Sequence, residues 1–219
     1  VNLGYALVGV AVGIGALDWV AVARKKRRAE YVLKPLTMAV LIAAAIALRE
    51  GDSVYVMGFT LAALVLSLAG DVFLMLPRDL FVAGLGSFLL AHIAYIAAFA
   101  PSAPSPGLAV VASVVVIAGF MYGRLVQGML ATGRQALVVP VGIYVLAISG
   151  MVVSAIAAAG RADWSTGRSA FTIFGALLFF ASDGMIGWSR FAGDFRGSRV
   201  AIMATYHLGQ AGLVLGLLG

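Results

Sequence analysis

Apolar residues run along this chain in long blocks broken by short polar clusters, with no strand-like alternation. A helix that crosses a hydrocarbon core of about 30 Å needs roughly 20 mostly apolar residues, at ~1.5 Å each. On that length the blocks resolve into eight segments, at 3–22, 35–48, 54–76, 80–100, 108–126, 136–159, 169–190 and 200–218. The second is short and needs its flanks to complete a crossing. The connections are brief. The pattern therefore predicts an all-α fold, a polytopic membrane helix bundle of about eight transmembrane helices, with 1–219 forming a single integral membrane domain. Within the first segment, Gly9-x-x-x-Gly13 has the spacing of a helix-packing stripe.

Composition narrows the classes. Hydrophobic residues make up 63% of the chain and charged residues only 11%, with a mean hydropathy of +1.06. Soluble domains carry about 25% charged residues, and a globule of this size has too little interior to hide so much apolar surface. A soluble enzyme, a disordered tail and a disulfide scaffold are excluded. The absence of cysteine removes thiol nucleophiles and thiolate metal ligands.

The net charge of +6 would point to nucleic acid in a soluble protein. Here the basic residues flank apolar segments, where they orient helices and meet anionic lipid, so no nucleic-acid partner is expected. The first segment lacks a preceding basic region, and the run Arg24 to Arg28 follows it, which reads as a span and not a signal peptide. With that run cytoplasmic, Arg24, Lys25, Lys26, Arg27, Arg28, Lys34, Arg78, Arg124, Arg134, Arg190, Arg196 and Arg199 share one side. Arg49, Arg161 and Arg168 take the other. Both termini are then expected outside the cytoplasm, with the proline-rich stretch 101–106 as an external turn.

Ionisable groups inside spans are costly and point to function. Asp71, Asp183, Tyr206 and His207 fall within about 7–11 Å of the cytoplasmic boundary at 1.5 Å per residue. Lys34, Thr37, Tyr144 and Gln210 can reach the same layer, and His92 and Tyr95 lie deeper, at roughly 20 Å. The outer half has no comparable cluster, so a cavity opening toward the cytoplasmic leaflet is expected. Tyr206 and His207 point about 100° apart, so one of them suffices for a given site. Asp18 and Trp19 read as interfacial, Lys34 as able to snorkel, and Trp164 and Trp188 as anchors. Gly13-Ile14-Gly15 has no strand before it and is no nucleotide loop. Two histidines on different helices are a thin basis for zinc, so no metal and no cofactor is expected. No Gly-x-Ser-x-Gly elbow occurs.

The run 70–99 holds Gly70-Asp71, a short turn, Phe81 and Gly84, then Phe88-x-x-x-His92-x-x-Tyr95. It resembles the central signature of the YhhN family, the transmembrane lysoplasmalogenases. Gly175, Phe179, Ser182, Asp183 and Phe191 resemble a second block, the segment 204–210 its last-helix tyrosine region, and Lys34-Pro35 its early Lys-Pro. The resemblance covers most of the chain and adds little over 108–162. It implies hydrolysis of the vinyl ether of lysoplasmalogens, giving a fatty aldehyde and a glycerophospho head group. The implied partners are a lysophospholipid substrate and membrane lipid, and the implied location a bacterial inner membrane. The oligomeric state is left open.

That chemistry suits the residues. Vinyl ether hydrolysis begins with a proton on the β-carbon, forms an oxocarbenium ion, and ends when water adds and the hemiacetal collapses. Two carboxylates in one poorly hydrated cavity can divide the work, one holding a proton and one staying ionised. Asp71 and Asp183 are the expected catalytic pair, and a cation such as Lys34 beside one of them marks the ionised member. His92, Tyr95, Tyr206, His207, Lys34 and Ser182 are the expected binding or positioning residues, with Lys34, Arg78 and Arg190 candidates for the phosphate. The alternative is a proton-coupled lipid or small-molecule transporter, for which the loose likeness between spans three–four and seven–eight is the motive.

Overall fold

Short polar side chains start three of the helices. Asn2 accepts from the Gly4 N–H ahead of α1 (Leu3–Ala23), Ser53 from Val56 ahead of α3 (Val54–Met75), and Ser165 from Arg168 ahead of α7 (Thr166–Phe191). The others are α2 (Arg27–Ala47), α4 (Phe81–Phe99), α5 (Leu108–Ala131), α6 (Val138–Ala159) and α8 (Ser198–Leu218). A 3₁₀ turn, Gln135–Leu137, leads into α6. The structure is a computed structural model and describes residues 2–48, 53–100 and 104–219. Among these, eight helices are long and apolar enough to cross a membrane and no strand occurs, so the chain is an integral membrane protein. Arg49 and residues 101–103 of the expected external turn lie outside the described residues.

The largest departure from the sequence reading is α2. It starts eight residues before the expected boundary at Pro35 and carries that proline inside it. Proline lacks an N–H and disfavours helix in the residue before it, and the preceding turns are charged. Those turns stay in the bundle because their charges are paired. Glu30 takes both oxygens to Arg199, at 2.6 and 2.7 Å, and Lys34 reaches Asp71. The paired turns supply the length that 35–48 lacked.

The helices form hairpins α1/α2, α3/α4 and α7/α8, with α8 also packed on α1 and α6 joining α4 to α7. α5 is the most peripheral, with Val116 and Phe120 exposed. The glycine seam lies between α7 and α8, not on α1. A Cβ on Gly212 would sit 2.8 Å from the Gly175 Cα, and one on Gly209 2.9 Å from the Phe179 N, so the two backbones touch. Gly9 and Gly13 are exposed and a Cβ on either meets nothing within 4 Å, which overturns the packing role expected for that stripe.

The turns after α1, α3, α5 and α7 gather at one end. Arg190 bonds Asp79 across two of them, and Arg134 donates to the Arg190 carbonyl at 3.2 Å. Most of the basic residues are at this end, and Arg161 and Arg168 flank Trp164 at the other, with Arg168 4.6 Å from its ring centroid.

Candidate functional site

Asp71 lies one turn from the end of α3, and Asp183 two turns from the end of α7. Both are buried. The Lys34 ammonium is 2.9 Å from Asp71 Oδ1, and the Tyr206 hydroxyl donates to Oδ2 at 2.7 Å. Gly70 is required here, because a Cβ would stand 2.6 Å from the Phe88 ring. Around Asp183, the Tyr144 hydroxyl donates to Oδ2, His92 Nε2 lies 3.1 Å from the same oxygen, and His92 Nε2 and the Tyr144 hydroxyl are 3.0 Å apart. Asp183 Oδ1 has no hydrogen-bond partner among the described residues. The two hairpins pair crosswise: the aspartate of α3 bonds Tyr206 of α8, and the aspartate of α7 bonds His92 of α4. Phe179 stands between the clusters, 5.5 Å from the Tyr206 ring and 4.8 Å from His92.

An apolar pocket of about 420 Å³ opens beside Asp183 and Tyr144, walled by Phe81, Phe88, Val141 and Phe191. Asp71 does not line it. Phe88 does, and packs edge-on, 5.9 Å from Tyr206, the residue that holds Asp71. One carboxylate, not both, therefore faces the pocket. A polar opening of about 550 Å³ adjoins it, shares Leu74 and Phe81 as walls, and carries Arg78, Asp79 and Arg190. Asp79 Oδ2 and Oδ1 take the Arg190 guanidinium at 2.6 and 2.9 Å, and these hydrogen bonds hold the Asp79 carboxyl below its usual range.

Of the expected site residues, Lys34, Asp71 and Tyr206 form one cluster, and Asp183 and His92 the other. Lys34 is engaged by Asp71 and is not exposed at the opening, unlike Arg78 and Arg190. Tyr95 donates instead to Gln210 Oε1 at 2.5 Å, and Ser182 to the Ile202 carbonyl at 3.2 Å. His207 turns to α1, where its Nδ1 accepts from Trp19 Nε1 at 3.1 Å and a Cβ on Gly15 would touch it. None of these three bonds a carboxylate. The depth difference expected between Asp183 and His92 narrows to about 5 Å along the helices, which their side chains bridge. From the helix ends they lie about 12 and 17 Å in, within side-chain reach.

Two residues matter more than the sequence reading allowed. Tyr144, placed only in the general layer, bonds Asp183. Asp18, read as interfacial, is fully buried, among the charges of Glu30, Lys34, Asp71 and Arg199. Its distance from the basic run was the available signal, since six residues place it more than a turn inside the helix. Among the described residues, no group of three or more histidine, aspartate or glutamate side chains is placed to hold a metal.

The lysoplasmalogenase of Mycobacterium bovis is 42% identical over 135 residues, 59% of this chain and 48% of that protein. Human lysoplasmalogenase TMEM86B is 35% identical over 156 residues, 71% of this chain and 62% of its own length, and the mouse protein of that name 30% over the same shares. The chain thus spans about half to two-thirds of the curated relatives it matches. No solved structure matches. The model of the YhhN family matches residues 29–217, a stretch that holds both carboxylate clusters and the pocket beside Asp183, and the chain belongs to the YhhN family.

Proposed function

We propose that this protein hydrolyses the vinyl ether bond of lysoplasmalogens, releasing a fatty aldehyde and a glycerophospho head group. The observation that carries the reading is Asp183: a buried carboxyl with one oxygen bonded by Tyr144 and His92 and the other without a partner among the described residues, in the wall of an apolar pocket that adjoins a basic opening. The names of the relatives supply the reaction class. A proton held on the Asp183 cluster passes to the β-carbon, using the π pair and leaving an oxocarbenium ion beside the new carboxylate. Water adds to the α-carbon and returns a proton to the cluster. The hemiacetal then collapses: the carbonyl forms as the bond to the glycerol oxygen breaks, the cluster gives that oxygen its proton and takes back the one the hydroxyl loses. Asp71 acts as a second, fixed charge, held by Lys34 and Tyr206, whose negative end favours the cation across Phe179.

The basic end is proposed as cytoplasmic, with both termini of this chain opposite, in a bacterial inner membrane, so that substrate enters from the cytoplasmic leaflet. The test is aldehyde release by purified protein from an alkenyl lysophospholipid, with the saturated alkyl-ether analogue as control. The analogue has no π pair to accept the proton. Aldehyde from the alkenyl lipid alone is expected, and none from either lipid contradicts the reading.

A further inference from the structure

Arg190 and Asp183 are seven residues apart on α7, close to two full turns, so they share one face with a rise of about 10 Å between them. Ile186 and Gly187, between them on that face, line the apolar pocket, and Arg190 lines the polar opening. Phe81 is the common wall: it stands edge-on to Phe191 at 5.6 Å and under the Arg190 guanidinium at 4.5 Å. The Arg190–Asp79 pair thus sits at the mouth of the pocket. It is half open to solvent, the side chains being 32% and 69% exposed. Arg190 Nε is buried and has no partner among the described residues, so a donor remains beyond the two bonds to Asp79. Exposed ion pairs contribute little and exchange readily, whereas a guanidinium binds phosphate through paired donors.

We propose that Asp79 and Arg190 read the head group of a zwitterionic lysophospholipid by exchanging partners with it: Arg190 takes the phosphate and Asp79 the ammonium. This rests on the lysoplasmalogen reading above and adds to it the residues that select the head group. The match is one of charge. The head group carries a phosphate and an ammonium side by side. Arg190 stands on the α7 face that also carries the acid, and its partner Asp79 stands beside it on the turn between α3 and α4. An opening lined by arginines alone would favour any phosphate. Asp79 adds attraction for an amine and repulsion for a bare phosphate, which selects ethanolamine- or choline-type head groups over an amine-free one. Asp79 also accepts from the Phe81 N–H at 3.4 Å, which fixes the carboxyl at the start of α4.

The experiment measures binding, by native mass spectrometry in detergent, of saturated alkyl-ether lysophosphoethanolamine and alkyl-ether lysophosphatidate, the amine-free lipid. Aldehyde release is measured in parallel. Asp79→Asn keeps an acceptor for Phe81, and Asp79→Ser is the second variant should the first fold poorly. Loss of Asp79 is expected to lower the preference for the amine-bearing lipid roughly tenfold, the size of one charge-assisted contact. Arg190→Gln is expected to weaken both lipids by a similar factor. An unchanged preference in folded Asp79 variants overturns the head-group assignment. If wild-type protein still releases aldehyde, the hydrolase reading survives that failure. The expected binding shift without any aldehyde would keep the seat and overturn the hydrolase reading.

Discussion

Replacing Lys34 by methionine isolates the buried pair at Asp71. The ammonium lies 2.9 Å from Oδ1, and the two side chains are 7% and 2% exposed. At an effective dielectric near 20, charges at that distance attract by about 6 kcal/mol, most of which offsets the cost of removing them from water. Breaking such a pair from one side strands the other charge and costs about 3–5 kcal/mol. That is a large share of the ~5–15 kcal/mol by which domains are stable. Methionine keeps the stem, so lost packing is small. Asp71→Asn alone should cost less. Asparagine still accepts from Tyr206, and Lys34, two turns into α2, can lift its ammonium toward the basic end. The double variant should recover much of the loss, with a coupling of about 2–3 kcal/mol. The assay is reversible unfolding of the four proteins in mixed micelles, followed by circular dichroism. Costs that add to within about 0.5 kcal/mol would refute the pairing.

Tyr206→Phe removes the hydroxyl 2.7 Å from Asp71 and should lower stability by about 1.5–3 kcal/mol in the same assay, with Tyr95→Phe as an unrelated buried hydroxyl for comparison. Gly212→Ala drives a Cβ against the Gly175 backbone and should cost about 1–3 kcal/mol, while Gly13→Ala, with open space around it, should be neutral or slightly stabilising; equal effects would contradict the α7/α8 seam. Because Arg190 holds the Asp79 carboxyl below its usual range, the pair's contribution is complete above the unfolded pKa, about 3.9, and is lost only as pH falls through the lower folded value. The stability difference between lipid-free wild type and Asp79→Asn should therefore stay constant around neutrality and vanish in acid; a difference that changes between mildly acidic and neutral pH counts against it.

The eight crossings were legible because apolar length alone specifies a membrane helix, and the boundaries of α1, α3 and α4 are within a residue of their hydrophobic limits. α2 was misjudged because its first turns are charged and precede a proline, and only the partners Arg199 and Asp71 explain why they enter the bundle. The layer of polar residues was legible from depth along each helix. Which of them meet was not, since rotation about the helix axis decides it. Adjacent Tyr206 and His207 go to different helices, and Tyr95, one turn from His92, bonds Gln210 and no carboxylate. Asp18 was misread because a charge near a boundary resembles a solvated one until its neighbours are known. That only Asp183 faces the pocket depends on Phe88 and Phe179, whose packing no periodicity reveals.

Delivery of a proton from the Asp183 cluster to the vinyl carbon is the step on which the proposed hydrolysis turns. Its most direct test is aldehyde formation from a saturating alkenyl lysophospholipid in heavy water, by wild type and by Asp183→Asn of equal monodispersity. Wild type should yield aldehyde carrying one deuterium on the carbon next to the carbonyl. Asparagine, which keeps the volume and accepts from Tyr144 but cannot pass on a proton, should lower the rate by at least the order of 10². A variant within tenfold of wild type, or aldehyde without that deuterium, would contradict the account.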